Sequence, residues 1–309
     1  MLPSLPAPRA AGLARTNGLE LYYEDLGPAA APPVVLIMGL AAQHVFWPDG
    51  VVAGLLAQGF RVIRFDNRDI GLSTKLRGAR HDPLVRAYVK SALRRPVKAP
   101  YRLYDMAADT VGLLDALGLA RAHLFGASMG GMIAQLVAAR YPERVKSLSV
   151  IMTSTLDPKL PVPKPRVLLQ LALTGKRSQG GRDAAIGEVV NTYRAIHGRG
   201  FAFDAEAVRE RAAIAYDRSY HPRGRERQAV NILATGCFEP ELARVAAPTL
   251  VIHGDDDPLV DVAGGRAVAR AIAGSRLEIV RGMGHGMPLA VQPDLAGWVG
   301  ENVRAGERG

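Results

Sequence analysis

Short apolar runs recur along this chain, separated by segments whose apolar residues return at helical spacing. The runs Val34–Ile37, Arg61–Phe65, His123–Phe125 and Leu148–Ile151 each fit a buried strand, and Thr249–Ile252 and Leu277–Val280 repeat the theme late in the chain. Leu19–Tyr23 reads as an early antiparallel edge strand, preceded by a loose Pro- and Ala-rich tail over Met1 to Arg15. Between the runs, Met106, Leu113, Leu114 and Leu117 share one helical face that Gly118 closes. Strands alternating with helices predict an α/β fold, with a mostly parallel central sheet flanked by helices.

The alternation stops between about Ser154 and Cys237. Pro158, Pro161, Pro163 and Pro165 form a connector, and helical patterns follow around Val167 to Leu173, Ala184 to Ile196, Ala205 to Tyr216 and Arg225 to Ala234. This division predicts a core made of residues 1–153 and 238–309 with a helical cap, 154–237, inserted into it. The competing reading is a covering layer that belongs to the core itself.

Composition narrows the class. Apolar residues make up 48% and charged residues 22% of 309, as in a water-soluble globular protein, and no window is apolar enough for a membrane span. A lone cysteine, Cys237, excludes an internal disulfide and fits a reducing compartment, so a cytoplasmic location is expected. The net charge of +10 is spread along the chain with only 6% aromatic residues, which argues against a nucleic-acid partner. Its densest basic stretches, Lys90 with Arg94, Arg95 and Lys98, and Arg223 through Arg227, read as solvated surface with a weak attraction for anionic surfaces. Nothing in the sequence sets an oligomeric state.

Candidate chemistry centres on Gly126-Ala127-Ser128-Met129-Gly130. A G-x-S-x-G motif between a strand and a helix is the signature of a nucleophile elbow, although with 33 glycines chance supplies the motif in roughly one such chain in ten. Its context therefore matters: a strand precedes it and Gly130 to Leu136 follow as a helix start. His285, in the glycine-rich loop Gly282 to Pro288 after the last strand, is the candidate base, and the glycines leave room for the imidazole to swing. His253 reads as structural. Gly254-Asp255-Asp256-Asp257-Pro258 offers three candidates for the acid that orients the histidine, and spacing alone does not rank them. The chain order Ser, His last, Asp between, matches one of the known triad arrangements. Asp66, Arg68 and Asp69 read as a buried network fixing a loop.

On Leu36 to Leu40, Phe65 to Ser73, the serine elbow, Gly254 to Pro258 and Gly282 to Pro288, the chain resembles the α/β-hydrolases. Within them it is similar to the small esterases of the aclacinomycin methylesterase type. The resemblance spans most of the core and little of the cap. It implies Asp257, the aspartate before proline, as the acid, with Asp255 as fallback. It also implies an oxyanion hole from the backbone N–H groups of Leu40 and Met129, with Gly39 permitting the turn although Met38 replaces the usual histidine.

These residues make up serine ester-hydrolase chemistry through an acyl-enzyme, with Ser128, Asp257 and His285 catalytic and a small to medium apolar ester as the small-molecule substrate. Activity is expected to fall as His285 takes a proton at acid pH. No phosphate loop, dinucleotide fingerprint or zinc spacing appears, so neither cofactor nor metal is expected. Met38, Met129, Met132, Met152, Met283 and Met287 lie beside the candidate segments, and Phe46 and Trp47 follow the oxyanion loop. Met38, Gly39, Phe46, Trp47 and Met287 are accordingly candidates for substrate binding, unless the methionines merely fill the core. The same triad would serve a cofactor-free perhydrolase or an enol-lactone or carbon–carbon bond hydrolase. A non-catalytic ligand receptor would be signalled by a lost triad member, and none is missing.

Overall fold

The computed structural model describes residues 5–308 apart from 168–169 and 171–179. Eight strands form one sheet in the order β1-β2-β4-β3-β5-β6-β7-β8. They are β1 (Ala10–Thr16), β2 (Leu19–Leu26), β3 (Pro33–Ile37), β4 (Arg61–Phe65), β5 (Ala122–Ala127), β6 (Val145–Ile151), β7 (Thr249–Gly254) and β8 (Arg276–Val280). From β4 to β8 every pairing is parallel, and β1 and β2 are antiparallel. The apolar runs of the sequence are the central strands: every residue of β5 is buried, as a strand covered on both faces requires.

The N-terminal expectation needs correcting. Residues 10–16 are a strand, not part of a tail, and β2 lies inside the sheet between β1 and β4. The overlooked signal is Asn17-Gly18, whose φ values of 45° and 76° close the β1–β2 hairpin. Asn-Gly tolerates two successive positive φ angles, which match the twist of paired strands.

Helices cover both faces. On one, α1 (Asp49–Ala57) and the C-terminal α9 (Gln292–Arg308) bury Val51, Leu55, Leu295 and Val299 with Trp47 and Phe125. On the other, α3 (Leu103–Ala116), α4 (Met129–Arg140) and α8 (Val262–Ala271) contribute Leu103, Met106, Ile133, Leu136 and Val268. Before α3, the link from β4 carries the short α2 (Leu84–Ala92).

Between β6 and β7 the chain leaves the sheet, and α5 (Arg182–Ile196), α6 (Ala205–Arg218) and α7 (Pro222–Thr235) fall within two or three residues of the expected helices. The expected segment Val167 to Leu173 lies mostly outside the described residues. Asp204 caps α6 by accepting from the Ala207 N–H at 2.9 Å, and Pro222 opens α7, where a missing N–H is harmless. Because β3 sends the chain to β4 on one side while β5 lies on the other, the loops after β3 and β5 diverge at the sheet's C-terminal edge. Such a switch point leaves a crevice.

Candidate active site

Ser128 stands at that edge of the sheet, between the end of β5 and the start of α4. Its φ of 56° and ψ of −120° are strained for a residue with a side chain. The surroundings hold it there: its N–H donates to the Ile151 carbonyl at 2.9 Å, and the Thr153 hydroxyl donates to its carbonyl at 2.8 Å. Glycine is required on both sides of the turn. A Cβ on Gly126 would strike the Gly130 carbonyl, and one on Gly130 would strike the Ile37 carbonyl. The helix therefore starts directly against two strands.

His285 Nε2 lies 2.9 Å from Ser128 Oγ, and Nδ1 lies 2.7 Å from Asp257 Oδ2. An ionised carboxylate only accepts, so the proton sits on Nδ1 and leaves Nε2 to accept from the serine hydroxyl. The second carboxylate oxygen of Asp257 accepts the N–H groups of Leu259 and Val260, each at 2.9 Å. Burial pushes the Asp257 carboxyl up, but the charge and hydrogen bonds of His285 and His253 hold it well below the usual carboxylate range. His253, fully buried, donates from Nε2 to the Val260 carbonyl at 2.8 Å and lies 3.6 Å from Asp257.

The three aspartates diverge in direction. Asp255 is exposed and accepts the Gly282 N–H at 2.6 Å. Asp256 turns to the insertion, where Arg199 donates its N–H at 2.8 Å and its guanidinium at 3.0 and 3.1 Å. Those hydrogen bonds outweigh burial and bring the Asp256 carboxyl down to about 2.

Two glycines of the His285 loop, Gly282 and Gly284, serve close packing instead of freedom to swing, while a Cβ on Gly286 would meet nothing within 4 Å. A Cβ on Gly282 would come within 2.6 Å of Gly200 Cα, and one on Gly284 would strike the Gly198 N–H. The His285 N–H donates to Ile196 O at 2.8 Å and the Gly200 N–H to Gly282 O at 3.0 Å. Gly198-Arg199-Gly200, which follows α5, thus clamps the loop to the insertion. The signal was a G-x-G inside an otherwise helical region.

After β3, Gly39 sits against the elbow, where a Cβ would come 3.1 Å from Ser128 Cβ. The left-handed turn is made by Ala41, at φ 64°, and not by Gly39. Among the described residues, neither the Leu40 nor the Met129 N–H has a hydrogen-bond acceptor in the chain. Met129 is the first residue of α4, where the N–H is free by geometry and the helix dipole favours negative charge. Asn67 donates to the Met38 carbonyl at 2.9 Å, and Gln228 of α7 accepts the Ala41 N–H at 2.9 Å while donating to Arg68 O at 2.8 Å. Nothing in the sequence around Gln228 marks this contact.

The side chains expected to line a pocket divide. Trp47 is fully buried and packs on Phe125 with ring centroids 4.9 Å apart, so it supports the sheet instead of facing the crevice. Phe46 is half-buried and stacks on Tyr193 of α5 at 5.4 Å. Met38, Met129, Met132, Met152 and Met283 all belong to the buried core, and of the six only Met287 is half-exposed. Core filling accounts for most of the methionine pattern.

The Asp66–Asp69 stretch is a buried charge network. Arg68 pairs with Asp109 at 2.5 and 2.6 Å, and Asp69 accepts from Arg227 at 2.6 and 2.9 Å and from the Tyr101 hydroxyl at 2.8 Å. Asp66 accepts from the His44 N–H at 2.8 Å and lies 3.2 Å from Arg218 of α6. His44, fully buried, stands between Asp66 at 2.9 Å and Glu24 at 3.2 Å. Among the described residues, no cluster of His, Cys, Asp and Glu could hold a metal ion.

A family model for the α/β-hydrolase fold matches residues 32–289, and the chain belongs to that family. Rhodomycin D methylesterase DnrP of Streptomyces peucetius is 30% identical over 307 residues, covering 93% of this chain and 96% of that protein. DauP of Streptomyces sp. strain C5, of the same name, is also 30% identical, over 310 residues and the same shares. Among solved structures, an esterase from Exiguobacterium antarcticum aligns with a TM-score of 0.73 at 22% identity, over 96% of this chain and all of the other, and supports the fold.

Proposed function

We propose that this protein is a serine carboxylic-ester hydrolase acting on small to medium apolar esters. The observation that carries the reading is the unbroken chain Ser128 Oγ, His285 Nε2, His285 Nδ1 and Asp257 Oδ2, with steps of 2.9 and 2.7 Å. Methylesterase relatives over nearly the full length support ester chemistry. Ser128 Oγ attacks the ester carbonyl as His285 Nε2 takes its proton, and Asp257 supports the imidazolium. The carbonyl oxygen, now negative, receives hydrogen bonds from the Leu40 and Met129 N–H groups, each worth about 3 kcal/mol in the transition state. His285 returns the proton to the leaving alcohol. Water then gives a proton to His285 and attacks the acyl-enzyme, and His285 passes that proton to the departing Ser128 Oγ as the acid is released. Residues 154–237 act as the cap, through Phe46–Tyr193 and the clamp on the His285 loop.

Ser128→Ala is expected to lower kcat for ester hydrolysis by about a millionfold, because serine and histidine act as a unit. A fluorophosphonate should label Ser128, and His285→Ala should prevent it. An unchanged rate in purified Ser128→Ala protein overturns the assignment. Parallel rates on methyl and longer esters, lactones, β-diketones and peroxide separate ester hydrolysis from the other reactions open to the same triad.

A further inference from the structure

The sheet edge and the insertion leave one surface without an internal use. Helix α2 rests on α7 through the fully buried Ala87, which packs with Val97 and Val230. At 100° per residue, the side turned away from Ala87 carries Val85 and Val89, Tyr88 and Leu84 continue the stripe along one flank, and Leu93 extends it past the helix end. These five account for five of the twelve large hydrophobic side chains that are exposed among the described residues, and Val85 is 78% exposed. An apolar stripe this concentrated marks an interaction surface.

Charge surrounds it. Between residues 77 and 98 there are seven basic side chains and one acidic one, Asp82. Asp82 is already engaged by Lys90 at 2.7 Å, Arg86 at 3.6 Å and the Lys98 N–H at 2.8 Å. Among the described residues, no salt bridge reaches Arg77, Arg80, Arg94, Arg95 or the Lys98 side chain. A second copy brought face to face would set these cations against one another. Nucleic acid would use the charge and leave the aliphatic stripe unused.

We propose that the outer face of α2 with its basic flank docks on an anionic phospholipid surface. The stripe enters the boundary between headgroups and acyl chains, and the long basic side chains reach back to the phosphates, the arrangement of an interfacial amphipathic helix. Binding is peripheral, since among the described residues no helix is long and apolar enough to cross a membrane.

The test is sedimentation of the purified full chain with vesicles, either phosphatidylcholine alone or phosphatidylcholine with phosphatidylglycerol at about 3:1. Binding is expected only to the anionic vesicles, and weaker in high salt. Two variants divide the contributions: Val85→Ser with Val89→Ser, and Arg94→Gln with Arg95→Gln. Each pair should weaken binding at least about fivefold, while Arg266→Gln with Arg270→Gln, an equal loss of charge from exposed positions on α8, should change it less than about twofold. A Tyr88→Trp probe should shift its emission to the blue on binding. Melting curves and ester hydrolysis in vesicle-free buffer should match the parent for every variant. Equal binding to both vesicle types overturns the proposal, as does equal loss from the α8 pair, which would mean diffuse charge. An apolar pair that binds vesicles normally but alters the sedimentation-equilibrium mass would make the stripe a contact between copies and overturns it too.

Discussion

Three adjacent aspartates of identical chemistry point three ways, and substitution should separate them. Asp257→Asn keeps the shape but can no longer hold His285 with Nδ1 protonated, so kcat should fall by about ten-thousandfold. Asp256→Asn breaks an anchor to Arg199 and should lower thermal stability with kcat changed less than about tenfold, as a contact remote from the reacting atoms would. Steady-state rates and melting curves on the two variants check both expectations. A comparable loss of kcat in both would transfer the orienting role away from Asp257 alone. At the elbow, Gly126→Ala would drive a methyl into the Gly130 carbonyl, and a destabilisation of about 1–3 kcal/mol in urea is expected.

The elements position the site by contacts that cross between core and insertion. Gln228 of α7 satisfies the Ala41 N–H beside the Leu40 amide, and both ends of its side chain are buried and used. Gln228→Leu leaves the part-buried Ala41 N–H and the buried Arg68 carbonyl without that partner. Such a loss costs about 1–3 kcal/mol, and where it loosens the loop proposed to hold the oxyanion, kcat should fall roughly tenfold with KM little changed. If melting falls while kcat and KM stay at parent values, Gln228 supports the fold and not the loop. The clamp of Gly198 and Gly200 on Gly282 and Gly284 makes a related point. It allows two backbones to touch, so the His285 loop depends on the insertion for its place.

Across the whole molecule, buried charge joins strand, loop and insertion. Burial raises the Glu24 carboxyl, yet the hydrogen bond and charge of His44, followed by Arg64, bring it down to about 2. A carboxyl depressed in the folded state adds stability that is full above its unfolded value of about 4.5 and fades as pH falls through about 2. Glu24→Gln should therefore cost more stability in urea at neutral pH than near pH 2. A cost independent of pH would show that Glu24 contributes by shape alone. Arg218 extends the same network into α6.

Much of this architecture was legible in the chain. Continuous apolar runs specify central parallel strands because both faces must be dry, and G-x-S-x-G at a strand end specifies the elbow because only small residues fit beside it. Even the missed hairpin at Asn17-Gly18 was written locally. The rest depends on which distant segments meet. Which aspartate faces His285, whether a methionine fills the core or edges the crevice, and how Gly198–Gly200 grips the His285 loop are decided by packing between segments far apart in the chain, 28 residues in the case of Asp257 and His285. Residue type states what a side chain can do. Tertiary structure alone brings a serine, an imidazole and a carboxylate within hydrogen-bond reach, because those distances arise only when β5, β7 and β8, which precede them, are aligned in one sheet.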